Sequence, residues 1–516
     1  MKQLFNIACR GSWLSLAQAE IFSQKILAHF PGITLNLVIE TTAGDKEQNT
    51  PLHLVEGKDF FTREIQDCLQ NGKADFAVHS MKDVSNEYFF QGNHYAIIDR
   101  DCLQDVVIFN EDITDKIKAG KKITIGTSSP RRSLMATGFL QKALPKGSEN
   151  PVHIESQPIR GNVDTRLQKL NDQEYDGIIL AAAGLNRLLR FSPSKEKVSQ
   201  LLQNKKLMVL PLFECPPAAG QGAIVAEATA DNTDAIEILE RIKSEVFTNA
   251  ILQERVYAQK YGYGCSQQFG VFHVDTENTS FTYTSGANEN SQPFTEWDFE
   301  MPTDITAKEL FSSTDYMKDF FSYQFLDEDA SSLQGGTPLV DRGQNAVFIS
   351  SHKAIHSTAL VNKIAGKKVW AAGTRTWYEL AKKGIWVEGC ADGLGLEFLQ
   401  STWESPLVKL KRRDIQIITN TSSAHHWIAD GWDAAATYEL IPKHAEEIQA
   451  AINKAPFIFW TSFQQYEQYK TFINDDALHA CPAGKTAKLL LAGGLKPFIF
   501  PTIKAFTDWR SQQPKV

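Results

Sequence analysis

The chain has 516 residues, of which 42% are hydrophobic and 22% charged, the composition of an ordinary globular protein. It is too long for a single hydrophobic core, so we expect several domains. A formal net charge of -8 argues against a general nucleic-acid binder, and the lack of any apolar run of roughly 18 residues argues against a membrane-spanning protein. The N-terminus has no secretion-signal pattern, and the cysteines are widely spaced without a C-x-x-C pair. We therefore expect a cytoplasmic protein with reduced thiols and no metal site.

Strands and helices alternate along the first 200 residues. Apolar residues at helical spacing after Ser12 predict a helix that Ser12 caps, and a second helix is expected near 60–71. The same alternation restarts near residue 100. The predicted strands of the two stretches cover 4–9, 33–42 and 75–79, and then 122–126, 153–156 and 175–182. This pattern predicts two successive α/β lobes with largely parallel sheets.

Two further units follow these lobes. A glycine-rich turn at 218–222 precedes an apolar strand and a helix, and alternating strands after residue 265 predict a small α+β domain. A polar stretch from about 327 to 343 has the composition of a linker, and short strands resume at 346 in a C-terminal α/β domain. The predicted domains are 1–98 together with 198–222, 99–197, 223–320 and 344–516, with 321–343 as the linker.

Asp83 ends the segment Val-His-Ser-Met-Lys-Asp at 78–83, directly after a predicted strand. Open α/β sheets bind ligands beyond the carboxyl ends of their strands, so Asp83 is a candidate site residue. The alternative is a surface aspartate that begins a loop.

Arginines gather at the strand-to-helix turns of the second lobe. The run Gly-Thr-Ser-Ser-Pro-Arg-Arg at 126–132 combines hydroxyls, free backbone N–H groups and guanidinium groups where an anion binds well. Similar turns carry Arg160, Arg166 and Arg187. Because guanidinium groups bind carboxylates and phosphates in a bidentate manner, the pattern favours a polycarboxylate or polyphosphate site. A solvated basic face is the alternative.

Eight short blocks in a fixed order carry a specific resemblance. They are Ala-Cys-Arg-Gly-Ser at 8–12, Thr-Ala-Gly-Asp at 42–45, His-Ser-Met-Lys-Asp at 79–83, the run at 126–132, Arg-Gly-Asn-Val-Asp-Thr-Arg at 160–166, Ala-Ala-Gly-Leu-Asn-Arg at 182–187, Gly-Gln-Gly-Ala at 220–223 and Gly-Cys at 264–265. Over about residues 1–320 the chain resembles the hydroxymethylbilane synthases, also called porphobilinogen deaminases.

The resemblance implies three domains, the first two like the lobes of periplasmic binding proteins, with the active site between them. It also implies the head-to-tail condensation of four porphobilinogen molecules with release of ammonia, for tetrapyrrole and haem biosynthesis. A dipyrromethane cofactor is then attached through Cys265, and the carboxylate of Asp83 stabilises positive charge that develops on the substrate. The other positions that match cofactor-binding residues are Lys82, Thr127, Ser129, Arg131 and Arg132, and those that match substrate-binding residues are Arg10, Ser12, Lys58, Arg160, Arg166 and Arg187.

The expected partners are porphobilinogen and its linear polypyrrole products, bound by a monomer without nucleic acid or membrane. A two-lobed binding protein for anionic solutes is the alternative from another class. The chain departs from the family pattern at Leu54, Asp59 and Gln268. The resemblance implies that Asp59 adds negative charge beside a loop that covers the substrate. We expect these departures to alter the loop or slow turnover without changing the reaction.

The C-terminal domain is similar to uroporphyrinogen-III synthase, which cyclises the linear product with inversion of one ring. The resemblance lies in the runs at 373–384, 437–442, 459–462 and 484–489. However, the strand and Thr-Arg-Pro turn that usually open that family are not found between 320 and 345. The positions that could bind carboxylates or line a cleft are Thr376, Tyr438, Thr461, Ser462 and Thr486. The alternatives are that the hydroxyls are caps or turn residues and that the domain is not catalytic.

Overall fold

The protein is described here from a computed structural model, which covers residues 2–42, 62–85, 92–146, 152–261, 267–276, 278–300, 302, 310–326 and 343–513. Within these ranges the fold is mixed α/β with five sheets. None of the helices in this part of the chain has the length and apolar character needed to cross a membrane.

The strands of these sheets are short, and most central ones are buried on both faces. In chain order they are β1 (Leu4–Arg10), β2 (Thr34–Glu40), β3 (Phe76–Ser80), β4 (His94–Arg100), β5 (Asp105–Phe109), β6 (Ile123–Gly126), β7 (Ile154–Gln157), β8 (Gly177–Ala181), β9 (Lys206–Val209), β10 (Ala223–Ala228), β11 (Gln268–Thr276), β12 (Thr279–Ala287), β13 (Pro293–Phe299), β14 (Leu310–Ser312), β15 (Phe321–Phe325), β16 (Ala346–Ile349), β17 (Lys368–Ala371), β18 (Val387–Cys390), β19 (Ile415–Asn420), β20 (Asp433–Pro442), β21 (Phe457–Phe459), β22 (Leu478–Pro482) and β23 (Phe498–Phe500).

Helices connect these strands, and a one-turn 3₁₀ helix at Met81–Asp83 follows β3. The α-helices are α1 (Trp13–His29), α2 (Arg63–Gln70), α3 (Ile113–Lys118), α4 (Pro130–Ala143), α5 (Val163–Asn171), α6 (Ala182–Arg190), α7 (Ser192–Leu201), α8 (Thr233–Ile242), α9 (Glu245–Lys260), α10 (Thr358–Lys363), α11 (Thr374–Lys382), α12 (Gln400–Trp403), α13 (Thr421–Ala429), α14 (Glu446–Lys454), α15 (Phe463–Tyr469), α16 (Lys485–Ala492) and α17 (Ile503–Gln512).

The first lobe is built on the sheet β2-β1-β3-β10-β4. Strand β1 is parallel to β2 and β3, and β10 is antiparallel to β3 and β4. Phe5, Ile7 and Phe76 are completely buried beneath Phe22 of α1, which accounts for the apolar character of these strands.

The second lobe is built on the sheet β7-β6-β8-β5-β9. Its last strand, β9, pairs with β5, whereas residues 198–222 were predicted to belong to the first domain. Conversely, β10 lies in the first sheet, although the predicted boundary placed it in the third domain. The chain therefore crosses between the lobes twice. The last strand of each lobe, β9 or β10, pairs antiparallel with its neighbours, and local sequence patterns do not reveal this pairing.

The third unit is a three-stranded antiparallel sheet, β11-β12-β13, packed against α9. Phe272, Phe281 and Tyr283 of this sheet are buried against Leu212, so the third unit rests on the segment that leaves the second lobe.

The C-terminal unit contains two sheets, β15-β20-β19-β16-β17-β18 and β14-β21-β22-β23. Strand β14 pairs parallel with β21, and β15 pairs antiparallel with β20. The predicted domains placed these two strands in the third domain and in the linker. Both predictions differ from the structure because the pairing partners lie more than 100 residues further along the chain.

Apolar side chains of the C-terminal unit pack directly onto the second lobe. The ring of Trp377 lies edge-on to Phe139, with 5.0 Å between centroids, and its Nε1 donates to the carbonyl of Ala143 at 3.1 Å. Trp386 Nε1 donates to the carbonyl of Leu207 at 3.0 Å. The two units therefore share continuous apolar cores.

Candidate active site

The 3₁₀ turn that carries Lys82 and Asp83 begins where β3 ends. Met81 and Val84 are buried on either side of this turn, whereas the Lys82 side chain is open to solvent and Asp83 is partly so. The apolar neighbours thus anchor the turn and leave the two charged side chains at the carboxyl end of the strand, where ligands bind in open α/β sheets.

The turn between β6 and α4 presents the predicted hydroxyls. Ser129 is the N-cap of α4 and its side chain accepts from the Arg132 N–H at 3.4 Å, while Pro130 takes the first helical position. Thr127 Oγ1 accepts from the Ser129 N–H at 3.3 Å. Both hydroxyls therefore shape this turn by accepting backbone hydrogen bonds.

Two arginines of this turn converge on one buried carboxylate. Arg132 Nη2 donates to Asp105 Oδ1 at 2.6 Å, and Arg131 Nη2 donates to Asp105 Oδ2 at 2.9 Å. Burial would raise the pKa of Asp105, but the charges and hydrogen bonds of Arg132 and Arg131 outweigh it and hold this pKa well below its usual range. Arg131 also donates to the carbonyl of Pro216 at 2.6 Å and is almost fully buried. Arg131 is thus held mainly by protein groups.

Arg166 faces other cations. Its Nε donates to the carbonyl of Gly161 at 2.8 Å. Burial, together with the charges of Arg132 and Arg160, lowers the pKa of Arg166 to about 10, and Asp83 opposes this effect. The guanidinium stays protonated at neutral pH, so positive charge accumulates beside Asp83.

Lys82 belongs to the same electrostatic environment. Although part of the Lys82 side chain reaches solvent, desolvation by the surrounding protein lowers the pKa of its ammonium group. The positive charges of Arg132 and Arg131 lower this pKa further. Asp83 and Asp105 oppose the shift. We call Lys82, Arg131, Arg132, Arg160 and Arg166 the cationic cluster.

Other predicted residues lie in different surroundings. Ser12 caps α1, its side chain accepting from the Ser15 N–H at 3.3 Å, and Arg10 is the last residue of β1. Arg187 is almost fully buried and donates to the carbonyl of Gly222 at 2.5 Å and to Asp99 at 3.5 Å. These contacts give Arg187 a role in holding the crossing between the lobes. Two predicted site residues, Lys58 and Cys265, lie outside the described part of the chain. The departures at Leu54 and Asp59 lie outside it as well.

Sequence reasoning missed three charged residues that shape this region: Asp105, Glu254 and Arg255. Asp105 begins a strand whose five residues are all buried, and a carboxylate in such a strand needs cationic partners. That pattern was a usable signal. Glu254 and Arg255 lie on α9, where nothing in the local pattern distinguishes them from surface charges.

Hydroxyl groups at strand ends of the C-terminal unit are largely engaged within the protein. Thr461 Oγ1 donates to Gln465 Oε1 at 2.7 Å, and Ser462 is the N-cap of α15 in a capping box with Gln465. Tyr438 is buried, and its hydroxyl is hydrogen-bonded with Asn420 and Ser351.

The two sheets of this unit meet at glycines. Gly484 has φ +85°, and a Cβ there would lie 2.9 Å from the carbonyl oxygen of Gly393. The backbones of the two halves are therefore in contact at this point. Thr376 is buried in the first turn of α11, and Thr486 lies partly buried in the first turn of α16 beside this contact.

The fold and the cationic cluster define an α/β protein that gathers positively charged side chains where its first two sheets meet. A family model described as "Porphobilinogen deaminase, dipyromethane cofactor binding domain" matches residues 5–237. Porphobilinogen deaminase of Alkaliphilus metalliredigens is 35% identical over 267 residues, which cover 52% of this chain and 77% of that protein. That of Rickettsia bellii is 34% identical over 275 residues, covering 53% and 83%. The effector-binding domain of BenM, solved with benzoate, is 13% identical and covers 50% of this chain and 94% of its own, with a TM-score of only 0.26.

The chain belongs to the porphobilinogen deaminase family. These enzymes, also called hydroxymethylbilane synthases, are transferases of porphyrin biosynthesis that use porphobilinogen and a dipyrromethane cofactor.

The residues present fit such a cofactor. Each of its rings carries an acetate and a propionate, and the cationic cluster offers more positive charge than Asp83 and Asp105 neutralise. The Nε of Arg132 is buried and has no hydrogen-bond partner within the described residues. A buried donor of this kind and the lowered pKa of Arg166 both favour a bound carboxylate.

Proposed function

We propose that residues 1–320 join four porphobilinogen molecules head to tail, releasing ammonia at each addition, and extend a dipyrromethane primer held by Cys265 to linear hydroxymethylbilane. The observation that carries this proposal is the position of Asp83 beside the cationic cluster. In this position Asp83 supplies a carboxylate for the reacting ring. The surrounding cations would bind the carboxylate substituents of the rings.

Asp83 would accept a hydrogen bond from the pyrrole N–H of the substrate. When ammonia leaves, positive charge spreads onto that nitrogen, and a nearby carboxylate lowers the energy of this state. The same carboxylate can pass protons to and from the ring. The positive charges of Lys82 and Arg166 attract the Asp83 carboxylate.

The cationic cluster and the nearby hydroxyls would bind the carboxylates. We assign Lys82, Thr127, Ser129, Arg131 and Arg132 to the primer and Arg10, Ser12, Lys58, Arg160, Arg166 and Arg187 to the incoming substrate. When bound, the dipyrromethane supplies the pyrrole carbon to which the first new ring is joined. We expect the contribution of Arg187 to be indirect, since its contacts lie at the crossing of the lobes.

The test is hydroxymethylbilane formation by Asp83→Asn, with Asp67→Asn as the matched control because Asp67 is exposed on α2. The proposal expects Asp83→Asn to lose about a hundredfold or more in kcat, the range typical of a removed acid–base and electrostatic group. The control should keep normal turnover. Near-normal product formation by Asp83→Asn would remove Asp83 from the mechanism.

For residues 344–516 we propose a non-catalytic domain with a cyclase-like fold. The pairing of β14 and β15 with the C-terminal sheets supports the likeness to uroporphyrinogen-III synthase, since it supplies opening strands upstream of residue 344. The engaged hydroxyls of Thr461 and Ser462 and the buried Tyr438 favour a domain without a substrate cleft. Incubation with porphobilinogen followed by isomer-resolved chromatography decides the matter. Accumulation of the I isomer alone is expected, and the III isomer would establish a working cyclase.

We also propose that the protein works as a monomer in the cytoplasm, a reducing compartment that suits its widely spaced cysteines. Sedimentation at working concentration tests the monomer.

A further inference from the structure

Arg255 of α9 contacts the turn that carries Asp83. Its Nη2 donates to the carbonyl of Met81 at 2.6 Å and to the carbonyl of Val84 at 2.8 Å. These two carbonyls flank Lys82 and Asp83. One buried nitrogen therefore ties together both ends of the turn.

The turn depends on such a donor. A single 3₁₀ turn leaves most of its carbonyls without partners, and here the Val84 N–H donates to the Met81 carbonyl at 3.2 Å. A guanidinium at the carboxyl end also interacts favourably with the aligned peptide dipoles. Because Arg255 is only 5% exposed, water does not readily replace it.

The helix that carries Arg255 is itself fixed by the preceding residue. Glu254 is completely buried and accepts from Arg100 Nη2 at 2.7 and 2.9 Å, from the Gly220 N–H at 2.8 Å and from the His273 N–H at 3.0 Å. These donors belong to the first lobe, to the glycine turn before β10 and to the third unit. The guanidinium of Arg255 thus projects from a helix that is held on three sides.

Gly220 confines the side chain of Met81 in this turn. This glycine has φ +72°, and a Cβ at this position would lie 2.7 Å from the Met81 side chain. Met81 is completely buried there. Packing therefore fixes the side chain of Met81, and Arg255 fixes its carbonyl. Together these contacts set the backbone conformation of the turn and so the orientation of the Asp83 side chain.

We propose that Arg255 is a positioning residue for the condensation reaction: it holds the Met81–Val84 turn so that the Asp83 carboxylate meets the reacting ring. This inference rests on the role proposed above for Asp83. Since α9 ends at Lys260 and Cys265 follows shortly in the sequence, the helix that positions the carboxylate also leads to the residue that would hold the primer.

The experiment compares Arg255→Ala and Arg255→Lys with Arg241→Ala, a control at an exposed position near the end of α8. Amide hydrogen exchange of residues 81–85 is measured in each protein, together with kcat and KM for porphobilinogen, at a temperature where all are folded. Turnover is expressed per molecule that carries the covalent primer, counted by intact mass.

We expect Arg255→Ala to exchange the turn amides at least about tenfold faster and to lose about tenfold to hundredfold in kcat, with KM nearly unchanged, because misplacing one group by about 1 Å has effects of this size. Low concentrations of guanidinium, well below denaturing levels, should restore part of the kcat of Arg255→Ala by refilling the vacated site. Arg255→Lys should lie between Arg255→Ala and the parent protein, because a single ammonium can also donate to two carbonyls.

A folded Arg255→Ala protein with normal turnover, or with unchanged exchange at residues 81–85, overturns the proposal. Where Arg255→Ala does not fold, the same readouts on Arg255→Lys decide. Failure of the proposed role of Asp83 can be told apart from failure of this inference. In that case Asp83→Asn would have normal turnover, while Arg255→Ala would still speed amide exchange at residues 81–85.

Discussion

Arg132 Nη2 donates to Asp105 Oδ1 at 2.6 Å, and Asp105 is completely buried. The second oxygen of the same carboxylate accepts from Arg131, so one acid orients both arginines of the β6–α4 turn. Gln221 Nε2 adds a third contact at 3.0 Å, from the segment between β9 and β10 that crosses to the first lobe. The carboxylate therefore links the cationic cluster to the crossing of the lobes.

The first prediction concerns Asp105→Asn. Removing one partner of a buried ion pair leaves uncompensated charge, so we expect the free energy of unfolding to fall by about 3–5 kcal/mol. Asp115→Asn, at an exposed position on α3 of the same lobe, should change it by less than about 0.5 kcal/mol. Urea unfolding of both variants makes the comparison. Equal stability of the two variants would show that Asp105 is not needed to hold the arginines.

The second prediction concerns the pH dependence of the contact between the second lobe and the C-terminal unit. Asp392 Oδ2 accepts from the Leu212 N–H at 2.9 Å, and burial, with a further contribution from Glu214, raises the pKa of Asp392 to about 7. An aspartate in the unfolded chain has a pKa of about 4, so folding takes up a proton between pH 4 and 7. Stability from this group is therefore greatest at acid pH and declines as pH rises to about 7.

Asp392→Asn removes this titration and keeps an oxygen that can accept from Leu212. Asparagine also tolerates the left-handed backbone of residue 392, where φ is +52°. We expect the variant to be more stable than the parent at pH 8, by at most about 4 kcal/mol, and similar to it at pH 4. Urea unfolding at the two pH values tests this, and a constant difference between the proteins would contradict it.

The third prediction concerns Trp377, which joins the C-terminal unit to α4. Trp377→Ala removes its packing against Phe139 and its hydrogen bond to Ala143, so we expect a loss of about 3–5 kcal/mol and faster amide exchange in the last turns of α4. Trp403→Ala is the matched control, because Trp403 is also buried but its ring contacts Trp370 and Phe348 and not α4. If amide exchange in α4 became faster in both variants, or in neither, Trp377 would have no specific role in docking the C-terminal unit onto α4.

The fourth prediction concerns Arg166. Its pKa of about 10 reflects burial and the nearby charges of Arg132 and Arg160, an environment that a bound carboxylate relieves. We expect Arg166→Gln to lower kcat/KM for porphobilinogen by about tenfold to hundredfold, the value of one or two charge-assisted hydrogen bonds. Arg413→Gln, with its side chain 81% exposed, should leave it unchanged. Unaltered kcat/KM in Arg166→Gln would place substrate carboxylates elsewhere.

Much of the N-terminal architecture could be predicted from local patterns. Alternating strand and helix signals predicted two α/β lobes, and the ordered motifs indicated the family, the transferase activity and the dipyrromethane cofactor, which the comparisons confirm. Strand pairing was less predictable. The exchange of β9 and β10 between lobes and the pairing of β14 and β15 depend on residues far away in the chain, and no local pattern encodes them.

Individual site residues show the same limit. Lys82 and Asp83 lie in the turn after β3, and Arg132 and Arg166 lie in the first turns of α4 and α5, so their motif positions were informative. Arg187 occupies an equivalent position in the sequence, yet its guanidinium is taken up by the Gly222 carbonyl because the crossing chain passes beside it. The role of Arg255 arises only from tertiary contacts, whereas an acid at the start of the buried strand β5 was a local signal for Asp105.

The central claim is that this chain extends a covalent primer on Cys265 by successive porphobilinogen units. The most direct measurement is the intact mass of the protein before and after a brief exposure to porphobilinogen, with Cys265→Ser treated in parallel. The account predicts that the parent protein carries a mass increment equal to a dipyrromethane and then gains further increments, each equal to one porphobilinogen minus ammonia, whereas Cys265→Ser carries none. An active parent protein with an unmodified Cys265 would contradict it.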